Sequence, residues 1–537
     1  MNQHRFSVKI VSIHALLVMT IVCSSELKAQ NLYEQYQTIA KSFGSDKKTP
    51  KLTIVNNDKI VAQYINGVEP SIQISKKAIA VCKSMKKDSS NALAVILSHE
   101  LAHYYLNHAD CSKYFAGNSI VLNNSSVLNE AEADRIGLIQ TLKTGYSSTK
   151  IYQTLLDNIY TKFNLNENLK GYLSLEKRKE QAAQIALEAE DHYRIFIAAN
   201  FLTTTKNYVP AFIIYDYLTA KYAFKENYNN AGVARLLSAI ELLLENQPEK
   251  MPFILPVELD AFSRLSYSVE RSGTATDNSK YSKQLLTEAT DKFAKAILLD
   301  KKYAFAYLNM ACANILLDNP DAALGNIKDL ELNGVKNMDS YTVKAIAFYS
   351  KGDKKNAMSN FELAKKYNAA NSDYNLKLMK SKDSFLNFLP DFSGFIDKYF
   401  GDKKPVLTLT NLQNETKQFG MQDIKLPAYD RSIQISSKPN IEVSYTETKN
   451  YDAIKITTPT NDYFLLKTTP YTLFKSAKGI KNGDATSTLI KTYQQPKLIT
   501  AAGNFNYLQY DNIIFTENYK SVICDWMLYK EIKKTAN

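Results

Sequence analysis

Ala92-Leu-Ala-Val-Ile-Leu-Ser-His-Glu-Leu-Ala-His-Tyr-Tyr-Leu-Asn-His108 is apolar enough for a buried helix and contains neither Gly nor Pro. On such a helix, residues four apart share a face, so His99 and His103 direct two imidazoles at one point. Glu100 lies one step round from His99, where it can reach a water on a metal ion without ligating the ion itself. Six histidines occur in 537 residues, and three of them (His99, His103, His108) fall within ten positions. In a chain so poor in histidine, a chance His-Glu-x-x-His arises on the order of once in a hundred chains or fewer. The bland alternative is a core helix carrying two incidental histidines.

Two histidines do not hold a catalytic metal ion, which takes a third protein ligand and keeps one position open. A third His six residues beyond His103, behind a Gly, is excluded, because Leu106 and Ala109 stand there. The remaining route is a carboxylate on a following helix. Ser126-Val-Leu-Asn-Glu-Ala-Glu-Ala-Asp-Arg-Ile-Gly137 supplies it, with Ser126 as the expected N-cap, Ile136, Leu138, Ile139 and Leu142 as the apolar positions, and Gly145 as the stop. Glu130 and Asp134 share a face of that helix, and Glu132 points away from it. Such a pair suits one ligand plus a second carboxylate that orients a ligating histidine. Taken alone, it is equally the solvated acidic face of an ordinary helix.

His-Glu-x-x-His followed by a helix reading Glu-x-x-Ala-Asp-x-x-Gly resembles metallopeptidase family forty-eight, the HtpX-like and CAAX prenyl proteases, and within it the soluble periplasmic branch with tetratricopeptide repeats. The matching positions are His99, Glu100, His103, His108, Glu130, Ala133, Asp134 and Gly137, with Gly145-Tyr146 ending the helix. The resemblance spans residues 35 to 185. It implies that His99, His103 and Glu130 bind one Zn2+ per chain, that Glu100 is the general base, and that Asp134 supports the ligands from outside. Three departures accompany it. The 26 residues between His103 and Glu130 are fewer than in most members, which implies a trimmed loop or helix and leaves another glutamate-ligand zinc-protease family as a rival. No membrane-spanning stretch is evident. Members often carry a His-Pro six residues before an Arg; here Arg178 fits, but Tyr172-Leu173 replaces the pair, making the Tyr172 hydroxyl the candidate to stabilise an oxyanion. In similar proteases a strand ahead of the metal helix holds substrate by backbone hydrogen bonds, and Pro70 to Ser75, with Ile72, Gln73 and Ile74 at its centre, is the segment expected to do so.

The first thirty residues read as a secretion signal: His4, Arg5 and Lys9 precede an apolar stretch from Ile10 to Cys23, and Leu27 to Gln30 offers a cleavage site. Val22 stands before Cys23 where a lipoprotein signal places a small residue, so the expectation is cleavage near Gln30 and a periplasmic or secreted chain. The +12 net charge is carried by scattered lysines rather than dense basic blocks, which excludes a nucleic-acid site. Cys82, Cys111, Cys312 and Cys524 are spaced too irregularly for a zinc ribbon, although Cys82 and Cys111 flank the metal helix and could pair in an oxidising compartment.

Beyond residue 190 helices recur with a period of 34. Tyr307 and Tyr341, Ala311 and Ala345, Asn319 and Asp353, Ala323 and Ala357, Ile327 and Phe361, and Leu330 and Ala364 are each that far apart, and Ala289, Phe293 and Ala296 extend the pattern upstream. Small residues at fixed positions let helices cross closely while large ones fill the grooves between repeats, so this region resembles the tetratricopeptide repeat, whose concave side binds partner proteins. After Pro405, Val406 to Thr410, Ser432 to Ser436, Ile441 to Tyr445 and Ala453 to Thr457 alternate as strands. Asn504 to Tyr529 reads as further strand, and Gly483-Asp484 caps a short helix.

The expected architecture is multidomain and predominantly α. A signal peptide (1–30) precedes an α+β gluzincin-type metalloprotease domain (31–188), a tetratricopeptide-like α-solenoid (189–398) and a β-rich C-terminal domain (405–537). The function expected is hydrolysis of protein or peptide substrates. The rival is a repeat scaffold that binds partners without turnover.

Overall fold

The computed structural model describes residues 32–43, 47–108, 124–146, 148–165, 175–246, 252–260, 263–264, 279–369, 371–380, 428–448, 451–468, 472, 474–496, 498–502, 505–510, 513–518 and 521–534. The expected signal segment, Cys111, Tyr172 and the Val406–Thr410 strand lie outside these residues. Among the described residues no helix is long and apolar enough to cross a membrane. The chain divides into two compact units, Met1–Tyr193 and Arg194–Asn537.

In the first unit, helix α1 (32–42) leads into three short strands, β1 (Lys51–Val55), β2 (Ala62–Ile65) and β3 (Ser71–Ser75). There follow α2 (Lys76–Ser84), α3 (Ser89–Tyr105), α4 (Asn124–Lys143), α5 (Tyr152–Phe163) and the first part of α6 (Leu175–Thr204). Helix α3 is buried on nearly every side, from Asn91 to His103, which is why its sequence is apolar all round rather than striped. Helix α4 begins at Asn124, so Ser126, expected as its N-cap, lies inside it. Its end matches expectation. Gly145 has φ +85°, its N–H bonds to Leu142, and the Tyr146 N–H reaches back to Thr141, the pair of bonds by which a left-handed residue closes a helix.

Strand order corrects one expectation. The sheet runs β1-β3-β2, with β3 parallel to β1 and antiparallel to β2. Ile72 pairs with Leu52 on one side and Tyr64 on the other, and Gln73 and Ile74 are likewise flanked on both sides. Their backbone groups are already used, so Ile72, Gln73 and Ile74 cannot receive an added strand of substrate.

The second unit takes the rest of α6, then α7 (Tyr208–Lys221) and α8 (Lys225–Asn246). The strand pair β4 (Glu258–Leu259) and β5 (Ser263–Arg264) comes next. Helices α9 (Ser279–Leu299), α10 (Ala304–Leu316), α11 (Pro320–Leu332), α12 (Asp339–Ser350), α13 (Lys354–Lys366) and α14 (Ser372–Lys380) follow, each packed on the one before it. The 34-residue register is physical. Ala311 and Ala345, Ala323 and Ala357, and Ile327 and Phe361 are completely buried where neighbouring helices meet. Asn319 and Asp353 cap α11 and α13 in the same way, each side chain accepting from the backbone N–H three residues on. Gly232 on α8, outside that register, also permits a close crossing: a Cβ there would lie 2.5 Å from the Phe293 ring of α9.

Strands β6 (Arg431–Ser437), β7 (Asn440–Glu447), β8 (Tyr451–Thr457) and β9 (Asn461–Thr468), helix α15 (Thr486–Tyr493), and strands β10 (Leu498–Ala502), β11 (Phe505–Gln509), β12 (Ile513–Asn518) and β13 (Ile523–Lys533) complete it. The eight strands form one antiparallel sheet in the order β10-β11-β12-β13-β9-β8-β7-β6. Alternation along the strands serves two cores. Val443, Ile454, Ile456 and Leu465 pack against Ala199, Ile214 and Tyr215 of α6 and α7. Leu466, Phe515, Trp526 and Leu528 pack with Leu489 of α15.

Candidate metal centre

Helix α3 presents His99 and His103 one turn apart, both about 1% exposed, and α4 brings Glu130 against them. The two Nε2 atoms are 3.0 Å apart. Glu130 Oε2 is 3.3 Å from His99 Nε2, and its Oε1 is 3.4 Å from His103 Nε2. An ion bound tetrahedrally at about 2.0–2.1 Å spreads its donors roughly 3.3 Å apart, so the three side chains already stand at the edges of such a polyhedron. The rest of each ring is engaged. His99 Nδ1 lies 2.8 Å from Asp134 Oδ1, one turn along α4 from Glu130, and His103 Nδ1 lies 3.0 Å from His108 Nδ1. A carboxylate on Nδ1 turns the lone pair of Nε2 inward, where the facing nitrogen lone pairs repel unless a cation sits between them. The donor set and its supports fit a metal ion.

Two features of this arrangement were not expected from the spacing. His108 is not on the metal helix. α3 ends at Tyr105, Asn107 takes a left-handed conformation (φ 60°), and the His108 N–H bonds back to His103 O. That closure folds His108 over His103, which a continuous helix five residues on would not do. Glu132, on the far side of α4 from Glu130, reaches His108 with Oε2 3.3 Å from Nε2, and this contact holds its carboxyl below the usual range. His103 is thus supported through His108 and Glu132, while His99 is supported directly by Asp134.

Electrostatics at the centre favour positive charge. Burial alone would push the His99 imidazole down, but the Asp134 and Glu130 carboxylates hold it up at about 10. Burial pushes His103 down, and the neighbouring His99 and His108 add to the shift against the pull of Glu130. Glu130 is well below the ordinary carboxylate range: burial opposes its charge, but His103 and His99 outweigh it. Behind Asp134, the fully buried Tyr152 hydroxyl of α5 is raised by burial and then by the Asp134 charge. Burial works against the charge of Arg178 on α6, but Tyr152, Asp134, Tyr160 and Glu130 together favour it. Glu100 is about 1% exposed on the metal helix, next in sequence to His99. Tyr172 lies outside the described residues.

Gly137 explains how α4 comes so close. A Cβ built there would lie 3.1 Å from His99 N, Ser98 C and Ser98 Oγ, so the two helices touch backbone to backbone one turn beyond Asp134. Gly137→Ala should lower metal affinity roughly 10–100-fold, the cost of displacing ligand supports, although alanine is the better helix former by about 1 kcal/mol. Metal titration of the purified variant checks this; affinity equal to that of the parent chain would show that the close approach is not needed.

The class this centre defines is a metallopeptidase. Residues 26–205, about a third of the chain, match the model of Peptidase family M48. The match extends somewhat beyond residues 35 to 185, the span covered by the sequence motifs. Comparison with curated proteins gives no match. Cys82 is a buried free thiol, and Cys111, its suggested partner, is outside the described residues.

Proposed function

We propose that the chain is an exported zinc endopeptidase acting on protein substrates, with its helical region serving as a tetratricopeptide-like scaffold that positions them. The observation that carries this is the convergence of three side chains from α3 and α4: the two Nε2 atoms stand 3.0 Å apart, each lies 3.3 to 3.4 Å from one of the two Glu130 carboxylate oxygens, and both histidines are braced from behind. In this reading His99, His103 and Glu130 hold the ion and Asp134 fixes the orientation of His99. Zinc bound there supplies Lewis-acid polarisation of the scissile carbonyl and lowers the pKa of a coordinated water toward ~7. Glu100 takes the proton of the attacking water and delivers it to the leaving amine, acting first as base and then as acid. Tyr172 is the proposed donor to the carbonyl oxygen. An extended substrate that adds as a strand has the outer edges of β1 and β2 to use, which pair with no further strand among the described residues, and β2 is the one packed on α3. Export through residues 1–30 places this activity in the periplasm or outside the cell, where it fits a role in protein quality control.

Casein digestion tests the proposal. Cleavage should stop on addition of a zinc chelator and return when zinc is restored. A folded, zinc-loaded chain that leaves casein and other unfolded proteins intact would instead support the rival reading of a scaffold that binds without turnover.

A further inference from the structure

The connection between α8 and α9, from Asn246 to Ser279, is far longer than the few residues two packed helices need. Part of it, Pro252-Phe-Ile-Leu-Pro-Val-Glu-Leu-Asp260, runs through the interior of the helical array, with Phe253, Ile254, Leu255, Val257, Glu258, Leu259 and Asp260 all buried. Three asparagines from three separate helices grip its backbone, each using both ends of its carboxamide on a single residue. Asn375 of α14 accepts from Ile254 N at 2.9 Å and donates to Ile254 O at 2.9 Å. Asn309 of α10 accepts from Glu258 N at 2.8 Å and donates to Glu258 O at 2.7 Å. Asn230 of α8 accepts from Asp260 N at 2.7 Å and donates to Asp260 O at 3.0 Å. All three are completely buried, and Asn229 braces the middle grip by accepting from Asn309.

A carboxamide that pairs with the N–H and C=O of one residue does what a neighbouring β-strand does, and it reads backbone rather than side chain. The side chains have places of their own. Phe253 sits against the Tyr349 and Phe361 rings at 4.8 and 4.9 Å, and the Tyr303 hydroxyl donates to the Asp260 carboxylate. The gripping helices are α8, α10 and α14, with none from α12, and their asparagines all converge on this one segment. These are the components of a peptide-recognition groove: a row of backbone clamps, an aromatic pocket at one end and a carboxylate receptor at the other.

We propose that the face formed by α8, α10 and α14 is a binding site for extended polypeptide, and that residues 252–260 occupy it in cis, where an apolar segment ending in an acidic residue from another chain binds in trans. Binding is independent of peptidase activity, so the two can fail separately. The test uses the full-length chain with recognition sequences for a site-specific protease inserted after Gln247 and after Thr274, so that cutting both leaves the segment held without covalent attachment. A fluorescent peptide of residues 252–260 should then exchange into the cut protein within hours and show at least tenfold less binding to the uncut chain. The same peptide with Ile254→Pro and Glu258→Pro, which lacks the two N–H groups that Asn375 and Asn309 accept, should bind at least tenfold more weakly. Circular dichroism and gel filtration follow the state of the cut chain. The proposal is overturned if the cut protein keeps its fold yet takes up no peptide in a day, if it unfolds on cutting, which would make the segment a piece of core, or if the proline peptide binds as well as the parent.

Discussion

Glu100→Gln should leave one equivalent of metal on the chain and abolish detectable casein cleavage. The amide is nearly the same size as the carboxylate and occupies the same place on α3, next to His99 and buried to about 1% exposure. It does not belong to the three-donor group, which is made by His99, His103 and Glu130. What the substitution removes is a group able to accept a proton from water and return it to the departing amine. General acid–base catalysis of this kind is worth about 10²–10⁴-fold in rate, and here one residue serves both transfers, so the upper end is expected. Metal analysis and the casein assay on the same preparation separate the two effects. Cleavage at the parental rate would remove Glu100 from the mechanism.

His103→Ala should fail at the earlier step and lose the ion. It removes one of three donors and leaves Glu130 facing His99 alone across the gap. It also strands the relay behind it, since His108 Nδ1 then has no imidazole to meet, and its other contact is Glu132. The parent chain should melt at a higher temperature when zinc is added, because an ion held at a hundred times its dissociation constant stabilises the folded state by about 2.7 kcal/mol. The His103→Ala variant should show no such rise and no cleavage. A variant that still melts higher with zinc, by as much as the parent, would mean that the ion is held elsewhere.

Much of this centre was legible because helical spacing is local physics. His99 with His103, and Glu130 with Asp134, are each four apart, and that alone fixes which face they share. The 34-residue pattern was legible because a close helix crossing tolerates only small residues, as Ala311 and Ala345 show. What was missed depends on the chain leaving regular structure or on partners distant in sequence. His108 reaches His103 through one left-handed residue, Asn107, and Glu132 finds it from what had looked like the outer face of α4. The strand Ile72–Ile74 alternates like an edge strand, but its place between β1 and β2 follows from a parallel pairing with residues 51–55 that no local pattern announces. The hold on residues 252–260 was equally hidden, since its asparagines come from positions 230, 309 and 375 and share no motif.

The account rests on one ion held between α3 and α4. Elemental analysis of the purified full-length chain tests it most directly. One equivalent of zinc per chain, reduced to background in His103→Ala, is the predicted result. A folded chain that carries no metal, and takes up none when zinc is supplied, would contradict it.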